Sequence, residues 1–138
     1  MFKRLLKILF VSFLISCGSS EEHGLELFVS GAQIAGVNGM HFGPDGYLYA
    51  ASVIGSDISV IDTESKAILK RFGLSDGVIG PDDVAFNSKG EFYWTSILTG
   101  EVSGFDVNGN KVFSGNPGPG VNPITFSDDD RLFVAQCF

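Results

Sequence analysis

Short apolar runs, each closed by Gly, Pro, Asn or Asp, follow one another from Val37 to the end of the 138-residue chain. Runs such as Tyr47-Leu48-Tyr49-Ala50-Ala51-Ser52 and Val102-Ser103-Gly104-Phe105 have the length of strands and are rich in aromatic and β-branched residues. The pattern recurs. Phe42, Phe86 and Phe126, spaced 44 and 40 residues apart, each precede a turn: Gly-Pro-Asp-Gly, Asn-Ser-Lys-Gly and Ser-Asp-Asp-Asp. Residues 37–62 and 81–106 align with six identities in 26 columns, and the turns and apolar columns stay in step. In each repeat the first strand ends at the Phe. The second covers 47–52 or its equivalents, and the third covers 58–61 or 102–105. A turn at 63–65, or at Asn108-Gly109, leads to a fourth; Asn-Gly is a favoured hairpin turn. Four strands every ~40–45 residues predict the blade of a β-propeller, an all-β fold.

Propellers close with about four to eight blades. The chain holds repeats at 37–78 and 81–118 and the start of a third at 121–138, with a further strand predicted near 25–29. This amounts to about two and a half four-stranded blades, out of an expected six, in a domain spanning 25–138. Unclosed blades would leave sheet edges and apolar faces exposed. The expectation is an N-terminal fragment of a longer protein.

The first 16 residues have a different character. Lys3, Arg4 and Lys7 precede the apolar run Ile8-Leu9-Phe10-Val11-Ser12-Phe13-Leu14-Ile15. That run is short of the ~20 residues a membrane span needs and reads as a secretion signal helix. Leu14-Ile15-Ser16-Cys17 resembles the lipobox of bacterial lipoproteins. The resemblance implies cleavage before Cys17, a lipid on its thiol and, with Gly18 in the second position, sorting to the outer membrane. The expected location is the cell envelope, facing the periplasm or the cell surface. Residues 17–24 are small, polar and acidic, suited to a flexible tether. With the Cys17 sulfur engaged, Cys137 in its apolar run is expected to be a buried free thiol.

Charge narrows the partners. Removing the three basic residues of the leader leaves six against 16 acids, a net −10 from Cys17 onward. Nucleic acid is excluded, because phosphate binding needs clustered Lys and Arg. Anionic lipid is excluded as a partner of the protein surface, so membrane attachment falls to the lipid at Cys17. Disorder is excluded by 44% hydrophobic residues and 13 Phe.

Candidate chemistry lies in one column, four residues before each Phe: Asn38, Asp82 and Asn122. The innermost strand of a propeller blade lines the central channel. Polar residues where those strands begin can therefore converge on the axis, and oxygen ligands so gathered suit a hard cation. Asn and Asp also cap turns at strand starts, which gives the same column a structural reading. Asn38-Gly39-Met40 with Gly43-Pro44-Asp45-Gly46, and Pro81-Asp82-Asp83-Val84-Ala85-Phe86, resemble the SMP-30/gluconolactonase family. Val121-Asn122-Pro123-Ile124 fits the same column. The resemblance implies a divalent cation, Ca²⁺ first and otherwise Mg²⁺, Mn²⁺ or Zn²⁺, held by Asn38, Asp82 and Asn122. It implies that Asp82 serves as catalytic base in lactone hydrolysis. The family's Gly after that Asp is Asp83 here, and its Glu ligand has no counterpart; Glu26 does not match it.

The functional expectation is an envelope-anchored hydrolase that acts on a small-molecule lactone or ester with one divalent cation. The alternative is a non-catalytic propeller of NHL type that binds a ligand or partner protein at the envelope. Asp62 and Asp106 are expected to hold the turn after the third strand, and Asp128-Asp129-Asp130 to be a solvated hairpin turn. Tyr93 and Trp94 are expected to pack between blades; His41, on the face opposite Phe42, is expected to pack, the alternative being a place near the channel. Gly115-Asn116-Pro117-Gly118-Pro119-Gly120 lacks the Lys and helix of a phosphate loop and reads as an inter-blade connection. No Gly-x-Ser-x-Gly nucleophile motif is present.

Overall fold

A computed structural model describes residues 34–137 and Gly24. The signal segment 1–16, Cys17 with the tether 17–24 apart from Gly24, and the strand expected at 25–29 lie outside the described residues. The described chain forms three antiparallel sheets in succession. The first is β1 (Val37–Phe42), β2 (Leu48–Ser52), β3 (Asp57–Asp62) and β4 (Ala67–Phe72), paired in that order. A single 3₁₀ turn, Leu74–Asp76, leads to the second sheet: β5 (Pro81–Phe86), β6 (Phe92–Ser96), β7 (Val102–Phe105) and β8 (Lys111–Gly115). The third holds β9 (Val121–Phe126) and β10 (Leu132–Gln136). Each sheet is a meander whose neighbours in sequence are neighbours in space, as the repeat predicted. The three are successive blades of a β-propeller.

The turns follow from their residues. Asp62 Oδ1 accepts the Glu64 N–H at 2.9 Å, and Asp106 Oδ1 accepts the N–H groups of Asn108 and Asn110 at 2.9 and 2.8 Å. These Asx turns close the β3–β4 and β7–β8 hairpins, as expected. Residues 116–120 form the connection from β8 to β9.

Sheets alternate faces along each strand, so each blade packs one set of side chains backward and one forward. Between the first two blades lie Tyr49, Ile58, Val60 and Phe72 on one side and Val84, Phe92, Trp94 and Phe105 on the other. Between the second and third lie Ala85, Val102 and Tyr93 against Val121, Ile124 and Phe126. Tyr93 and Trp94, adjacent in β6, thus point into different junctions.

One aromatic contact repeats. Phe86 meets Tyr49 of the blade before it edge-on, with centroids 4.8 Å apart, and Phe126 meets Tyr93 in the same way at 5.0 Å. This explains the recurring Phe: it is an inter-blade staple worth about 0.5–1.5 kcal/mol beyond its burial. Phe42 occupies the same column but is 58% exposed, because the described residues contain no preceding blade to meet it. Phe133, in the Tyr column of the last blade, is likewise 48% exposed.

Two expectations are corrected. Cys137 is exposed, not buried. It follows β10, where four of five strand residues are exposed and, among the described residues, no third strand covers them. The acidic turn 128–130 is mostly solvated, but Asp130 reaches back to the second blade and accepts hydrogen bonds from the Ser88 N–H (2.8 Å) and hydroxyl. His41, expected to pack, is exposed; its ring centroid lies 5.8 Å from that of Phe86.

Candidate functional site

The innermost strands β1, β5 and β9 lie side by side. Their first residues therefore gather at one end of the blades, and each strand carries the same irregularity there. In β1 the register passes from Val37↔Ser52 to Met40↔Ala50. In β5 it passes from Pro81↔Ser96 to Asp83↔Thr95, and in β9 from Val121↔Gln136 to Ile124↔Val134. Each shift inserts one extra residue on the inner strand: a β-bulge, which bends the strand and re-aims a side chain. The bulges fall on Asn38-Gly39, on Asp82 and on Asn122-Pro123. The predicted column is therefore the point where each inner strand turns a side chain out of the ladder.

A second column, two residues upstream, sets the bulges up. Gly36, Gly80 and Gly120 have φ of 64°, 52° and 84°, the left-handed region that glycine adopts without strain. A Cβ on Gly80 would lie 2.7 Å from the Leu98 side chain, and one on Gly36 would lie 2.7 Å from that of Ile54. The chain turns at this glycine so that the second residue of each Gly-(Val/Pro)-(Asn/Asp) triplet starts its strand and the third falls in the bulge. This column escapes an alignment anchored on the Phe that begins at Val37, Pro81 and Val121. The triplet itself is plain in the sequence.

The structure joins two of the three predicted residues. Asn38 Nδ2 donates to Asp82 Oδ1 at 2.8 Å, across the junction of the first two blades. Asp82 is 2% exposed, and its Oδ2 has no hydrogen-bond partner among the described residues. A buried carboxylate oxygen without a partner is costly, so such groups in native proteins call for a ligand, an ion or a proton. Asn122 stands at the equivalent place on β9, half-buried, and its backbone carbonyl accepts the Thr95 hydroxyl at 2.6 Å. No hydrogen bond links its side chain to Asp82 among the described residues.

The residues present fit a hard cation. With its Nδ2 committed to Asp82, Asn38 has its amide oxygen left to offer. Asp82 Oδ2 and the Asn122 side chain are the other oxygens of the column. Such a set suits Ca²⁺ or Mg²⁺ and lacks the nitrogen or sulfur ligands typical of Zn²⁺. Among the described residues no three His, Cys, Asp or Glu side chains are placed to hold a metal ion between them, so the acidic share of the set is Asp82 with Asp83 beside it.

One cleft among the described residues lies elsewhere. It has a volume of about 350 Å³ and is lined by Tyr49, Phe72, Phe86, Phe92, Lys70 and Asp106 among others. The lining gathers around the β1–β2, β5–β6 and β7–β8 turns, at the ends of β1 and β5 opposite to Asn38 and Asp82. Its polar groups are already engaged. The Tyr49 hydroxyl donates to Asp45 at 2.9 Å, and burial, then Asp45, pushes the phenol well above its ordinary pKa. The Lys70 ammonium sits 4.0 Å from the centre of the Phe72 ring.

No family model and no curated protein matches the chain. Solved structures do match, and the class they share with this chain is the β-propeller. Virginiamycin B lyase from Staphylococcus aureus aligns with 72% of this chain and 34% of its own, at 20% identity and a TM-score of 0.62. A candidate 6-phosphogluconolactonase from Bacteroides uniformis aligns over 72% and 33%, at 22% identity and a TM-score of 0.57. A calcium-binding protein, regucalcin, from Agrobacterium tumefaciens aligns over 67% and 35%, at 22% identity and a TM-score of 0.51. The chain spans about a third of the length of these structures. At such identities the likeness shows the fold.

Proposed function

We propose that the chain contributes the metal-holding blades of an envelope-anchored propeller hydrolase that acts on a lactone or ester. The observation that carries this reading is Asp82: buried, bonded through Oδ1 to Asn38, with Oδ2 unpartnered at the strand starts. Asn38, Asp82 and Asn122 would hold the cation, Ca²⁺ by the character of their oxygens. The bound cation would supply Lewis-acid polarisation of the substrate carbonyl. Asn38 fixes the Asp82 carboxylate through one oxygen. The other can accept the proton of an attacking water, and burial between two blades keeps bulk water from it. Support comes from the resemblance of the entrance motifs to SMP-30/gluconolactonase proteins and from calcium-binding and lactonase-like structures of the same fold. Lipid attachment at Cys17 to the outer membrane belongs to the same proposal and rests on the lipobox-like sequence.

The test is hydrolysis of a panel of aldonolactones and aryl esters by the full chain, with and without chelator. Turnover that is lost with EDTA, restored by Ca²⁺ and lost in Asp82→Ala supports the reading. Turnover unaffected by both refutes it. The small acidic count of the column favours one second reading, a non-catalytic propeller that binds a ligand or partner protein. That reading expects ligand binding without turnover.

A further inference from the structure

Asp83 stands where the resembled family pattern has Gly, and it touches all three blades. Its Oδ1 accepts the Val84 N–H at 2.9 Å within β5. Its Oδ2 accepts the Ile124 N–H of β9 at 3.1 Å, across the second junction. On the other side Gly39 of β1 lies against it. A Cβ on Gly39 would fall 2.3 Å from Asp83 Oδ1 and 2.7 Å from the Asp82 carbonyl oxygen, so only glycine allows this approach. Both carboxylate oxygens thus carry backbone hydrogen bonds, charge-assisted and stronger than neutral ones. The residue wedges between the bulge of β1 and the bulge of β9.

We propose that Asp83 is a positioning residue for the cation site: it sets the spacing among Asn38, Asp82 and Asn122. The three oxygen-bearing side chains come from three blades, and a cation site tolerates only tenths of an ångström in ligand distance. Asp83 is covalently next to Asp82, in contact with Gly39, which follows Asn38, and bonded to Ile124, two residues after Asn122. No other side chain at this end bridges all three bulges among the described residues. A carboxylate does what the Gly of the resembled pattern cannot, since it reaches across the junction and accepts two N–H groups. The inference rests on the preceding reading of Asn38 and Asp82 as cation ligands.

The test compares Ca²⁺ affinity in the full chain by calorimetry for the unaltered protein, Asp83→Gly, Asp83→Asn, Asp130→Ala and Asp82→Ala. Asp130 joins the same second and third blades through Ser88, at the opposite end of the strands. It therefore reports the effect of loosening that junction alone. The expected result is a loss of ~10–100-fold in Asp83→Gly, the range for residues that orient metal ligands. A smaller loss is expected in Asp83→Asn, which keeps one acceptor, and a change within about twofold in Asp130→Ala. Faster exchange of the Ile124 amide in Asp83→Gly accompanies the loss. Unaltered affinity in Asp83→Gly while Asp82→Ala abolishes binding overturns the inference alone. Equal losses in Asp83→Gly and Asp130→Ala overturn it in favour of general junction stability. An unaltered protein that takes up no Ca²⁺ overturns the underlying reading and this inference with it.

Discussion

Gly80 shows how much one residue decides at the blade entrances. Its φ of 52° strains any residue with a side chain, and a Cβ there would also have to push aside the exposed Leu98 side chain. Gly80→Ala must either strain a left-handed alanine, at about 1–2 kcal/mol, or shift the start of β5. The expected outcome is a lower melting temperature together with weakened cation binding, because Asp82 lies two residues on. Scanning calorimetry of the variant checks it, and an unchanged melting temperature would contradict it. The Asn38, Asp82 and Asn122 column was legible because polar residues recurred at a fixed distance from a repeated Phe. The hydrogen bond from Asn38 to Asp82 was not, since nothing in the spacing says which polar residues of different blades touch. The role of Asp83 was hidden for the same reason. In the sequence it is only a departure from a resembled pattern, and its meaning depends on Ile124, 41 residues away. The misjudged burial of Cys137 has a plain cause: an apolar run is buried only if another strand covers it.

At the scale of elements, the repeat predicted the meander because turn residues and strand length fix local pairing. The strands expected at 58–61 and 47–52 are found at Asp57–Asp62 and Leu48–Ser52. What the repeat did not reveal is a polar arrangement that recurs at the start of the third strand. Ser59 donates to Asp57 (2.8 Å), which also takes Arg71 of β4 (2.9 Å). Ser103 donates to Glu101 (2.6 Å), which takes Lys111 of β8 (3.0 Å). The acid changes identity from blade to blade and the base also changes place, Arg71 standing opposite Ser59 but Lys111 opposite Phe105, so identity counting misses them. These exposed pairs are worth little, about 0–1 kcal/mol each. The aromatic junction is worth more. Phe92 is buried among Tyr49, Phe72, Phe86 and Phe105, with ring centroids 4.8 to 6.2 Å away. Phe92→Ala is expected to cost about 3–5 kcal/mol, read as a shift of the urea midpoint. A shift under about 1 kcal/mol would show that the first two blades do not depend on this cluster.

For the whole molecule, the ionisable groups predict the pH response. Hydrogen bonds from Ser65 and the Glu64 amide hold Asp62 below its ordinary value. Asn110 does the same for Asp106, Ser127 and Arg131 for Asp129, and Ser88 for Asp130. Burial works the other way on Glu101, but Ser103 and Lys111 outweigh it and leave Glu101 lowered too. A carboxyl whose pKa is lower folded than unfolded stabilises the fold above its unfolded value, and that contribution is lost as pH falls through the folded value. Stability should therefore hold down to the ordinary values of 4.5 for Glu and 3.8 for Asp and decline below them. Tyr49 and Tyr93 are raised, chiefly by burial, so their contribution is present below pH 10.0 and lost above it. Urea midpoints across pH check both limits, and a midpoint constant down to pH 2 would contradict the acid arm. The exposed Phe42 and Phe133 faces and a span of about a third of the matched structures fit a propeller with further blades.

The proposed function stands or falls with the buried Asp82 carboxylate, held by Asn38, as a ligand of a divalent cation. Calorimetric titration of Ca²⁺ into the full chain and into Asp82→Ala tests it most directly. Saturable uptake of one ion by the unaltered protein and none by the variant is expected, with Asn38→Ala weaker than the unaltered protein. Equal uptake by the unaltered protein and Asp82→Ala would contradict it.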